Sequence, residues 1–189
     1  MPAAPQPTSG LQLIHVLLLG LLVIAGCLIA LILISEPQFT TGLPHPQYQA
    51  MNIGGDGLAR LGDAVGLIGA LGGIMVLMMV LFCALGVRPQ RRSWDFWALM
   101  MVAVVAAQFV WWSMYLSYLD FLRTGETEFV LSFPVATSWM LYGVWISGMV
   151  LAGIYVFGFR RYIFSFEDEA EYEALRAQAA VPRKPPENN

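Results

Sequence analysis

Long stretches with no charged side chain dominate the chain. They cover residues 11–35, 64–87, 96–119 and 129–159, and every Lys, Arg, Asp and Glu lies outside them. A helix rises about 1.5 Å per residue and the hydrocarbon core of a bilayer is about 30 Å thick, so about 20 apolar residues cross it. Each stretch reaches that length. Inside lipid every backbone N–H and C=O needs a partner within the protein, which selects helices over open sheets. The pattern predicts an all-α fold, an integral membrane four-helix bundle. Its helices are expected over 11–35, 64–87, 96–119 and 134–159. The last begins near Pro134, whose missing N–H suits a helix start.

The polar remainder sets the connections. Residues 1–10 form a proline-rich, disordered lead, and residues 36–63 a loop broken by Pro37, Pro44, Pro46 and the Gly54-Gly55-Asp56-Gly57 run. Residues 88–95 and 120–133 connect the later helices. Within 160–189, Ser165 followed by Asp168 resembles a capping box opening a short helix, and the tail beyond it is expected to be disordered. Lys and Arg resist translocation and so report the cytoplasmic side. Arg88, Arg91 and Arg92 sit between the second and third helices, and Arg160 and Arg161 follow the fourth. Those segments are expected in the cytoplasm, with loops 36–63 and 120–133 outside. An even number of helices then places both termini in the cytoplasm.

Composition sharpens the class. The chain has 189 residues, 58% hydrophobic and 12% charged, with a formal charge of −3. Soluble domains carry about 25% charged residues, so a cytosolic enzyme is excluded. The charge has the wrong sign for a nucleic-acid binder. The lipid bilayer is the expected surroundings, in the inner membrane of a bacterium. A cleaved signal peptide would start with basic residues and be shorter than the first apolar run. The string Ile24-Ala25-Gly26-Cys27 looks like a lipoprotein cleavage site, but the apolar run continues past Cys27, which favours a retained helix.

Candidate interaction residues fall in three groups. Gly62, Gly66, Gly69 and Gly73, with Gly72 beside them, form a small-residue ladder on the second helix, and Gly143/Ser147 and Gly148/Ala152 repeat the spacing on the fourth. Glycines let helices approach closely in lipid. The ladder is read either as packing within the bundle or as an interface to another subunit. On the third helix Gln108 lies near mid-bilayer and shares a face with Trp112 and Tyr115. These residues contact either a neighbouring helix or a ligand. The aromatics Trp94, Trp97, Trp111, Trp112, Tyr115 and Tyr118 mark the two ends of the third helix, as interfacial anchors do.

Catalytic signatures are sparse. The spans hold no charged residue of the kind that marks an ion pathway. His15 and His45 are expected on opposite sides of the membrane and cannot ligate one metal or haem together. Cys27 and Cys83 are expected too far apart for a disulfide. No cofactor, metal site or autonomous catalysis is expected.

The segment 94–175 carries one resemblance. Trp111-Trp112 and Tyr115 end a helix, Thr124-Gly125-Glu126 turns, Phe133-Pro134 follows, and Trp139, Tyr142-Gly143 and Phe159-Arg160-Arg161 complete the next helix. This order resembles the small auxiliary subunits found beside sodium:solute symporters. The layout and length also look like the small permease subunit of tripartite periplasmic transporters. Either resemblance implies a non-catalytic accessory subunit that binds a larger integral membrane protein. The alternatives are a small subunit of a respiratory or redox complex, bordering a haem or quinone, and a stand-alone four-helix membrane protein.

Overall fold

The structure is a computed structural model and describes residues 8–34 and 42–180. The expected disordered lead, apart from its last three residues, lies outside the described residues. So do positions 35–41, Pro37 among them, and the tail at 181–189. The described chain is overwhelmingly helical. Helix α1 covers Thr8–Leu33. A hairpin of β1 (Leu43–Pro44) and β2 (Asn52–Ile53) follows, and then the short helix α2, Gly57–Leu61, capped by Asp56. Helix α3 runs Ala64–Ala84 and α4 runs Trp94–Thr124. Strands β3 (Phe129–Val130) and β4 (Phe133–Pro134) form a second hairpin. Helix α5 (Val135–Ser138) passes through a widened turn at Trp139–Gly143 into α6, Val144–Phe157. Helix α7, Phe166–Ala180, comes last.

Four of these helical stretches are long and apolar enough to cross a membrane: the bulk of α1, α3, α4, and the α5–α6 unit Val135–Phe157. The chain is membrane-embedded. Its outward faces carry Leu22, Ile32, Met149 and Phe157 largely exposed. Such a surface would aggregate in water and is the expected one against lipid tails.

The third span is longer than the charge-free stretch 96–119. It gains two residues before Phe96 and continues through Asp120 and Arg123 to Thr124, where Gly125 at φ 72 adopts the left-handed conformation that ends it. Its 31 residues rise about 46 Å, beyond the hydrocarbon core, so charged ends reach the headgroup layer. The second span closes at Ala84, and Leu85, Gly86 and Val87 form a turn. The fourth span is interrupted: the Val144 N–H bonds to the Trp139 carbonyl, five residues back. There Trp139 packs edge-on against Phe109 at 5.5 Å, and Gly143 is buried against Val110. The loop expected over 120–133 is therefore part helix and part hairpin. In the loop 36–63, residues 42–61 include both a hairpin and a helical turn.

Helix α4 is central. It packs on α3 along one side and on the α5–α6 unit along another, while α1 lies against α3. The main apolar core sits in one half of the molecule, where Leu13 and Leu17 of α1 meet Val80, Ala84, Val87, Phe96 and Tyr162. That half also carries Arg88, Arg91, Arg92, Arg160 and Arg161. The other half, which ends in the hairpins, is held differently.

Candidate functional site

Three polar-tipped side chains of α4 reach across to the backbone of α3. Gln108 Nε2 donates to the Gly73 carbonyl at 2.6 Å. Trp111 Nε1 donates to the Gly69 carbonyl at 3.0 Å. The Tyr115 hydroxyl donates to the Val65 carbonyl. Donors three and four residues apart lie on one face of a helix, and carbonyls four apart stack in one column, so the two antiparallel helices align rung by rung. Each carbonyl already accepts its intrahelical bond and has a second lone pair to offer. The glycines make this possible. A Cβ at Gly69 would fall on the Tyr115 ring and one at Gly72 on the Trp111 indole. The rings of Trp111 and Tyr115 are stacked 6.0 Å apart and seat into those gaps.

This geometry divides the predicted ladder. Gly69 and Gly73 are buried and face α4. Gly66 is exposed, and a Cβ there would meet nothing within 4 Å. Gly62 lies outside the helix, at φ 52, where it closes α2. Gly72 is the tightest of the set. The glycines serve as slots for aromatic rings, so close backbone approach is not their role here. On the fourth span, Gly143 packs inward. Gly148 and Ala152 face outward, nothing lies within 4 Å of a Cβ at Gly148, and the Ser147 hydroxyl bonds to its own helix at Val144. Trp112 is exposed at the edge of α4, where its ring meets Tyr115 edge-on and passes near Gly73. Trp111, which reads as an anchor from its place near the helix end, is a full member of this interhelical contact. The signal was present in the 108/111/115 spacing opposite glycines.

The arginines do more than their count suggests. Arg91 donates to the Ile163 carbonyl and the Ser165 hydroxyl, and pairs with Asp168 at 2.6 Å. Arg88 reaches the other oxygen of Asp168 at 3.1 Å. Asp168 also closes the capping box, accepting from the Ser165 N–H at 2.8 Å while its own N–H donates to the Ser165 hydroxyl. Arg161 pairs with Asp95 at 2.6 Å, and the Tyr162 hydroxyl donates to the same carboxylate. Arg160 pairs with Glu169 and stacks over Phe166. Arg92 donates to the Val87 carbonyl, while its Nη1 is buried without a partner, and burial pulls its guanidinium below the usual value. The loop between α3 and α4 thus clasps the start of α7. The rest of α7 stands exposed, with Tyr172 and Leu175 uncovered.

The Ser165 N–H, followed by Arg91, holds the Asp168 carboxyl at about 2, below its ordinary 3.8. A depressed carboxylate stabilises the folded form above its unfolded value and loses that contribution as pH falls through the folded one. Amide-exchange protection of the first turn of α7 is expected to be full at neutral pH and to fade between about 3.8 and 2. Asp168→Asn is expected to lower it at neutral pH and to differ little from the wild type below about 2. A midpoint above 3.8 in the wild type would contradict the clasp.

Among the described residues no three His, Cys, Asp or Glu gather as a metal site requires. His45 accepts the N–H groups of Gln47 and Tyr48 through Nδ1 and shapes its own loop. Cys27 and Cys83 are free thiols. A cleft of about 320 Å³ opens between α3, α4 and the fourth span, walled by Ile68, Trp111, Tyr115, Tyr118 and Met140. No known protein family, curated protein or solved structure matches the chain.

Proposed function

We propose that the chain is a non-catalytic accessory subunit of a multi-subunit membrane transporter, packed against a larger permease. The observation that carries this reading is the pair of open small-residue patches on lipid-facing surfaces, Gly66 on α3 and Gly148/Ala152 on α6. Both are exposed, and nothing lies within 4 Å of a Cβ at either glycine. Small residues facing outward from a membrane helix let a second helix approach closely. The polar side chains within the spans support it as well: Gln108, Trp111, Tyr115 and Tyr155 all donate to neighbouring backbone carbonyls. They are committed to holding the helices together rather than to a substrate path. In this reading the arginine-bearing end lies in the cytoplasm, both termini with it, and the membrane is the inner one of a bacterium.

Purification in mild detergent, followed by mass spectrometry, tests the proposal. A large multi-helix transporter is expected to accompany the wild type. Gly66→Leu and Gly148→Leu are expected to lose that partner while keeping the wild-type melting curve. Recovery of the chain alone from its native membrane would overturn the reading.

A second reading rests on the aromatic cleft beside Trp111 and Tyr115, whose flat walls would suit the ring of a quinone held mainly by a redox partner. Cytochromes in the purified complex, with a visible absorbance band, would favour it over a transporter.

A further inference from the structure

An open groove of about 750 Å³ lies where the start of α4 meets the end of α6, at the arginine-bearing end. Its walls are apolar, with Leu99 on one side and Ile146, Val150 and Ile154 on the other, and Gly153 leaves room along its floor. Arg161 stands at its mouth. Its side chain is 68% exposed; Nη2 pairs with Asp95, and the guanidinium lies over the Tyr162 ring at 5.6 Å. Trp94 and Phe157, both almost fully exposed, flank the same end. From Ile146 to Phe157 α6 rises about 16 Å, and Arg161 follows four residues beyond its end. One bilayer leaflet offers about 15 Å of hydrocarbon plus about 6 Å of headgroup. The helical wall of the groove matches one acyl chain in length, and Arg161 lies past its apolar end, where a headgroup would sit.

We propose that this groove is a binding site for one anionic phospholipid, with an acyl chain along Gly153 and the phosphate on Arg161. A second membrane helix fits less well, because the cation at the mouth calls for an anion at a fixed depth. The inference does not depend on the accessory-subunit reading, since it requires no partner protein.

Native mass spectrometry of the full-length, delipidated protein tests it, with phosphatidylglycerol and phosphatidylcholine of identical chains as probes. The wild type is expected to bind phosphatidylglycerol about fivefold more tightly, the factor one arginine contributes near an anionic surface. Arg161→Gln is expected to erase the preference and keep the weaker phosphatidylcholine binding. Gly153→Leu is expected to lose both lipids, because a Cβ at Gly153 meets only Phe157 at ordinary contact distance and the added side chain fills the groove without a clash. Asp95→Asn separates a structural role from a binding one. It breaks the same ion pair but removes a competitor for the guanidinium, so the preference should stay or grow. Equal binding of the two lipids by the wild type would overturn the proposal. So would a preference lost equally in Asp95→Asn and Arg161→Gln, or lipid binding left intact by Gly153→Leu.

Discussion

Gly72→Ala is expected to destabilise the protein by about 3 kcal/mol, an unusual cost for adding one methyl group. A Cβ at this position lands inside the indole of Trp111, not at the flexible tip of a long side chain. Relief requires the indole to move, and moving it breaks the Trp111 bond to the Gly69 carbonyl. The cost therefore combines overpacking with a lost interhelical hydrogen bond. Gly69→Ala meets the Tyr115 ring in the same way and is expected to cost a similar amount. Gly66→Ala, one turn away on the same helix, is the control. It faces open space and should change stability by less than about 0.5 kcal/mol. Thermal melts in detergent give the comparison. Equal effects at Gly66 and Gly72 would show that the rings do not sit where the structure puts them.

That contrast shows what the primary structure reveals and what it hides. Absence of charge over about 20 residues marks a span almost regardless of tertiary context, because lipid leaves the backbone no other solution. Span ends are harder to read. Asp95, Asp120 and Arg123 end the charge-free stretch but not the helix, since α4 projects into a layer where charges are welcome. The interruption at Trp139–Gly143 leaves no periodic trace, because it arises where α5–α6 meets Phe109 and Val110 of α4. Periodicity of four likewise singled out Gly62, Gly66, Gly69 and Gly73 together. It could not tell which of them face α4, because that depends on helix rotation. Gly72, off the four-residue period, turned out to take the largest ring.

The arginines carry a related lesson. Their positions signal orientation, and in the structure they also bind the first turn of α7 through Asp168 and Glu169. The Ser165–Asp168 capping box was legible because its two members are only three residues apart. The Arg91 contacts to Ile163, Ser165 and Asp168 were not, because they join segments more than seventy residues apart. The two ends of the molecule thus use different means of cohesion. The arginine end has an apolar core and ion pairs, and the hairpin end has rings in glycine slots and donors on backbone carbonyls.

The donors themselves support the last prediction. Replacing Gln108 by Leu, Trp111 by Phe and Tyr115 by Phe removes all three rungs between α3 and α4, and the smaller ring at 111 leaves part of the Gly72 slot empty. Each accepting carbonyl keeps its intrahelical bond, so no buried group is left unpaired. The expected cost is then the modest value of a hydrogen bond between membrane helices, about 0.6 kcal/mol each, plus about 1 kcal/mol for the space left at Gly72, or about 3 kcal/mol for the triple variant. The loss should concentrate in the hairpin half, because the apolar core around Phe96 and Val80 lies in the other. Amide exchange after a short pulse is expected to show faster exchange in residues 64–73 and 108–119, with residues 78–84 and 94–100 unchanged. Uniform acceleration along both helices would mean that the two halves unfold as one, and that the rungs and the core cooperate more tightly than their separation implies.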